Sequence, residues 1–87
     1  MQGRRLPGIV EAHELLPGEY GKSASGRWLV RPPNNADGRS ACGALSTHIV
    51  VEHDDGTITV RPSIKQTWGD GEELWHGFLE AGAWRVC

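Results

Sequence analysis

Apolar and polar residues along the chain alternate in short runs and rarely recur at helical spacing, a pattern that predicts strands and tight turns. The clearest run is Thr47–Arg61, where Ile49, Val51, Ile58 and Val60 flank Asp55-Gly56, the strongest short-range hairpin signal. A two-residue type I′ turn there sets Asp54 against Thr57, His53 against Ile58 and Val51 against Val60. One face then gathers Ile49, Val51, Ile58 and Val60 as core. The other leaves His48, Val50, Glu52, Thr57, Thr59 and Arg61 in water. Pro62 is expected to end the second strand or to sit at a sheet edge. Gly26–Arg31 reads as a strand stopped by Pro32-Pro33, and residues 34–40 as a loop. Ile9–Leu16 fits a short helix or a strand, closed by the turn signal Pro17-Gly18.

The last segment supports two readings. Asp70-Gly71-Glu72-Glu73 resembles a capping box, with Leu74/Phe78 and Trp75/Leu79 at i,i+4 behind it, which describes a helix. Alternatively, residues 74–79 and 83–86 are two strands joined near Ala81-Gly82, with Trp75, Leu79, Trp84 and Val86 on one face. Gly77 inside a helix costs about 1 kcal/mol, and Trp84-Arg85-Val86 favours a strand, so the hairpin is preferred. The whole pattern predicts one mainly β domain over residues 1–87. It is a small antiparallel sheet or compact sandwich of five to six short strands, with room for one short helix. The core is expected around Trp28, Ile49, Val51, Ile58, Val60, Trp75, Leu79 and Trp84.

Composition narrows the function classes. Eighty-seven residues allow one thin core, and a 38% hydrophobic content with four Trp is not that of a disordered chain. No apolar run is long enough for a membrane helix. Met1–Gly8 carries the charges of a signal peptide without an apolar stretch behind them. The expected workplace is therefore a cytosol, where Cys42 and Cys87 should be reduced and unlinked. Nine Lys and Arg against eleven Asp and Glu give a net charge of −2, which lacks the basic excess of a nucleic-acid binder. The wet hairpin face also has no aromatic on which bases could stack.

Candidate chemistry is sparse. Gly21-Lys22-Ser23 resembles the end of a phosphate-binding loop, but Leu16 stands where that loop needs glycine. Cys42, His48 and His76 form the best zinc set, because His48 and His53 fall on opposite strand faces. The set lacks the two close ligand pairs of a strong site, so no metal or other cofactor is expected. Cys42 with His48 or His76 is the one conceivable nucleophile and base, and a domain this small rarely adds a deep substrate pocket. No enzyme is expected. Trp68 stands out: it lies in the turn-rich loop Gln66–Gly71 with no strand or helix face to hide it. An aromatic beside charges has the make-up of a binding hot spot, and Trp68, Arg61, Asp70 and Glu72 are the candidate binding residues.

The second half carries a recognisable arrangement: His48, then Glu52–Val60, Pro62-Ser63-Ile64, Trp75-His76-Gly77-Phe78-Leu79 and Gly82-Ala83-Trp84, preceded by Pro17-Gly18-Glu19-Tyr20 and Trp28…Pro32-Pro33. It resembles a family of small proteins encoded by bacteriophages and prophages of high-GC bacteria, over about residues 17–86. Related phage proteins have a cysteine cluster before the Asp-Gly hairpin and a Cys beside the later His, whereas here only Cys42-Gly43 and His76 stand at comparable places. The resemblance implies a viral origin and the host bacterial cytosol, and brings no activity with it. Together with the size and the missing catalytic motifs, it leads to the expectation of a non-enzymatic binding protein that occupies a host protein's surface. An inhibitor of a bacterial defence system is its specific form. The alternatives are an oligomeric receptor for a small ligand such as a nucleotide, and a small Cys/His metal-stabilised module.

Overall fold

The computed structural model describes residues 1–87. Strands β1 (Arg4–Ile9), β2 (Glu19–Lys22), β3 (Trp28–Val30) and β4 (Gly43–Ala44) form one sheet in that order. Strands β5 (Ile49–Glu52), β6 (Ile58–Thr67), β7 (Glu73–Glu80) and β8 (Ala83–Val86) form the second. Neighbours are antiparallel except β1 and β2, which run parallel. The mainly β sandwich follows the alternating pattern, with eight strands in place of five or six. The additions include β1, whose Arg4-Arg5-Leu6-Pro7 has no alternation to announce it, and the two-residue β4. The ambiguous segment after β1 holds only a 3₁₀ turn at Ala12–Glu14, closed by reciprocal Glu11 and Glu14 contacts. No helix is long and apolar enough to cross a membrane.

Tyr20, Trp28 and Val30 from the first sheet meet Ile58, Val60, Ile64, Trp75, Leu79 and Trp84 from the second in one core. Residues 1–3 lie along β8 and tie the sheets together on that side, through Gly3 N to Gly82 O at 2.7 Å and Trp84 N to Met1 O at 2.7 Å. The Trp84 indole donates to the Gly18 carbonyl at 2.9 Å, so its one polar atom is satisfied inside the core.

Four loops share one construction. Ser23–Arg27, Asn35–Arg39, His53–Thr57 and Trp68–Glu72 each close with the first residue's N–H on the fifth residue's carbonyl at 2.8 Å. In each, the fourth residue is a glycine of positive φ whose N–H returns to the first carbonyl at 2.9 Å. This is the hydrogen-bond pattern of the three-residue hairpin loop with glycine in the left-handed position, and Asn35–Arg39 adopts it without strands on either side. The Asp55-Gly56 turn is therefore not type I′, since only Gly56 has positive φ (87°). Asp55 instead turns its carboxylate onto Thr57 N and Oγ1. The turn with two positive φ values lies at Ala81-Gly82 (45° and 80°), between Glu80 and Ala83. Gly56→Val is expected to lower stability by about 1 kcal/mol or more, because a β-branched residue resists positive φ. An unchanged melting midpoint would contradict this geometry.

One extra loop residue slips the expected register by one. Val50 now faces Val60, and Glu52 faces Ile58. Ile49 and Val51 consequently leave the core, at 69% and 50% exposure, while Val50 packs against it. Val60, paired with Leu79, points inward in either register, so the extra loop residue alone decides that Val50 rather than Val51 lies opposite it. Pro62 is another correction. It neither ends β6 nor lies on an edge, but sits inside this central strand, where the pairing with β7 breaks between Val60 and Ile64. Such a break spares the ladder from the N–H that proline lacks. Residues 73–86 form the hairpin rather than the helix, with Trp75, Leu79 and Trp84 buried and Val86 exposed at 67%.

Candidate functional site

The β6–β7 hairpin is the longest in the molecule, and its tip is Trp68-Gly69-Asp70-Gly71-Glu72. Asp70 and Glu72 are exposed, and Asp70 Oδ1 accepts from Glu72 N at 2.9 Å, which stiffens the loop. Trp68 is half-buried and lies outside the core cluster. Its ring is covered on one side by the Arg39 guanidinium, 5.5 Å from the ring centroid. Arg39 is carried by the Asn35–Arg39 loop. Asn35 Nδ2 anchors this loop to the Leu74 carbonyl at 3.0 Å, while Asn35 Oδ1 accepts from Asp37 N and Arg39 N. Asp37 lies 3.5 Å from Arg39. Two loops of like construction thus meet side by side and present an aromatic ring framed by Asp37, Arg39, Asp70 and Glu72. Next to them opens a cleft of about 420 Å³, lined by residues 34–36, Glu73–His76, Val86 and Cys87.

Of the expected binding residues, Trp68, Asp70 and Glu72 come together here and Arg61 does not. Arg61 lies seven positions earlier on β6, roughly 20 Å away by strand rise. There it pairs with Glu80 at 3.1 Å, and Glu80 also binds Arg85 at 2.9 Å. These guanidiniums, Arg85 foremost, hold the Glu80 carboxyl below the usual carboxylate range. Arg39 is the residue the sequence pattern missed, because nothing local marks a loop arginine as the partner of a tryptophan 29 positions away.

The weak metal set is not assembled. His48 Nε2 donates to the Ser63 carbonyl at 3.0 Å, and Ser63 Oγ meets His76 Nε2 at 3.0 Å. Cys42 lies elsewhere, near Arg31, with burial pushing its thiol up. Cys87 takes the place beside His76, Sγ to Nε2 3.8 Å. No group of three His, Cys, Asp or Glu side chains is placed to hold an ion. Both cysteines are free. Glu73 lies 3.9 Å from His76 Nδ1, so a hydroxyl, an imidazole and a carboxylate stand in sequence. That arrangement can pass a proton between Ser63 and His76, but Ser63 is not among the residues lining the adjoining cleft.

A larger cleft of about 620 Å³ lies elsewhere, around Gly3, Arg4, Arg5, Pro7, Tyr20 and Asp55–Thr57. Of its two cations, Arg4 is largely exposed and Arg5 is committed. Arg5 binds Glu52 at 2.6 Å and the Gly56 carbonyl at 2.9 Å, and it stacks on Trp28. That pairing lowers the Glu52 carboxyl. Asp55 lines the same cleft, and the hydrogen bonds from Thr57 hold its carboxyl below the usual carboxylate range. The tip with the smaller cleft is therefore the stronger candidate contact. No family model, curated protein or solved structure matches the chain.

Proposed function

We propose that the chain is a binding protein without chemistry of its own, which occupies the surface of a partner protein through the paired loops around Trp68. The observation that carries this reading is the placement of Trp68. It is a large ring outside the core at the end of the longest hairpin, stacked on one side by Arg39 and bordered by Asp37, Asp70 and Glu72. A rigid aromatic supplies contact area with few rotatable bonds to freeze, and surrounding charges orient the encounter. In keeping with the phage resemblance, the partner is a host bacterial protein met in the host cytosol, and an inhibitor of a bacterial defence system is the specific form.

Affinity capture from a bacterial host lysate tests it, with the wild type and the Trp68→Ala and Asp70→Ala/Glu72→Ala variants run in parallel. The reading expects a protein held by the wild type and lost with Trp68→Ala. The acidic double variant should weaken capture mainly at low salt. Equal capture by all three contradicts it. The second reading, a receptor for a small anionic ligand such as a nucleotide, draws on the 620 Å³ cleft, where the Arg4 side chain is 76% exposed. Calorimetric titration with nucleotides tests that reading, and Arg4→Ala should abolish any heat.

A further inference from the structure

We propose that two copies of the chain associate by antiparallel pairing of β5 with β5 about a two-fold axis at Val50. The inference goes beyond the binding reading and does not rest on it.

A two-sheet sandwich has four edge strands, and an unprotected edge is a template for another strand. Three of the four are protected here. β8 is covered by residues 1–3. β4 is two residues long. β1 is broken by Pro7, and its register to β2 shifts between Arg5 and Ile9. Only β5 has no such device. Ile49-Val50-Val51-Glu52 contains no proline and no lysine, pairs with β6 over four unbroken positions and ends its sheet. On its outer face Ile49 and Val51 are the exposed aliphatics that the register slip turned out of the core.

The backbone fixes how a second strand could join. His53 N donates to Thr57 O, so His53 faces β6. Alternation along the ladder then points the groups of Val51 and Ile49 toward β6 as well, and those of Val50 and Glu52 away from it. A two-fold axis at Val50 brings these outward groups of both copies into register: Val50 opposes Val50, and Glu52 opposes His48. It also sets Ile49 of each copy against Val51 of the other, so all four exposed aliphatics pair. An axis at Glu52 would oppose two carboxylates, and an axis at Val51 would leave each Ile49 opposite His53. The charge pattern and the apolar pattern therefore select the same axis, and the occupant they fit is a second copy.

Sedimentation equilibrium combined with amide exchange tests the proposal. The wild type should approach twice the 9.5 kDa chain mass as concentration rises. Val51→Lys, at an exposed position, should keep the melting midpoint measured at dilutions where both chains are monomeric, and weaken association roughly tenfold or more. In the wild type the Val50 and Glu52 amides should exchange slowly at high concentration and fast on dilution. A wild type that stays monomeric up to roughly 0.5 mM, a range that would miss only very weak pairing, overturns the proposal. So does a dimer indifferent to Val51→Lys, or one whose Val50 and Glu52 amides exchange fast.

Discussion

Gly77→Ala is expected to destabilise the protein by about 3 kcal/mol, at the upper end for a single added methyl group. Gly77 is buried on β7, opposite Ile64 on β6 and Val86 on β8. A Cβ at this position would fall on the Arg85 carbonyl oxygen and on the Trp75 ring. Neither can withdraw: the carbonyl belongs to the neighbouring strand, and the Trp75 ring is locked edge-on against Trp84, centroids 5.4 Å apart at 88°. For a domain of this size the loss corresponds to a drop of roughly 10–25 °C in melting midpoint, and total stability is itself only about 4–13 kcal/mol. Gly69→Ala is the control, since a Cβ there meets nothing within 4 Å. A thermal melt that shifts equally for both variants would contradict the close approach at Gly77.

Trp84→Ala should cost about 3–5 kcal/mol, enough to leave much of the chain unfolded at physiological temperature. The indole is 3% exposed, packs against Trp75 and hydrogen-bonds Gly18, so it joins the hairpin, the other sheet and the turn before β2. Trp84→Phe separates packing from hydrogen bonding. It keeps most of the apolar area and removes the indole N–H, and the Gly18 carbonyl still accepts from Arg4 N at 3.1 Å. The expected loss is about 1 kcal/mol. Denaturant midpoints for the two variants check this order, and equal losses would mean that the aromatic packing contributes little.

Particular residues show what was legible in the sequence. Gly77 and the β-favouring Trp84-Arg85-Val86 decided between helix and hairpin at the C-terminal end, and the hairpin formed. Asp55-Gly56 marks a turn, Asp37-Gly38 and Asp70-Gly71 fall in segments read as loop or turn-rich, and each became a turn, whereas Gly26, read as the start of a strand, lies in a turn and β3 begins only at Trp28. Loop length was not legible, because Asp-Gly suits both a two-residue and a three-residue loop. That single residue decides which face of β5 is core, and so sent Ile49 and Val51 outward. β1 could not be read locally either. Its place depends on Arg5 reaching Glu52, Gly56 and Trp28, contacts that only the folded chain assembles. The same limit applies at the tip. Trp68 was visible as an aromatic among turn residues, whereas Arg39 and the Ser63–His76 contact arise from long-range packing.

The role of Trp68 is decided by one variant measured twice. Trp68→Ala should move the melting midpoint by only a few degrees, because the ring lies outside the core cluster, and weaken binding of the captured partner by about 2 kcal/mol or more. That is roughly a thirtyfold rise in Kd. A midpoint lowered as far as that of Trp84→Ala, or an intact fold that binds the partner undiminished, would contradict the placement of the contact site on this hairpin tip.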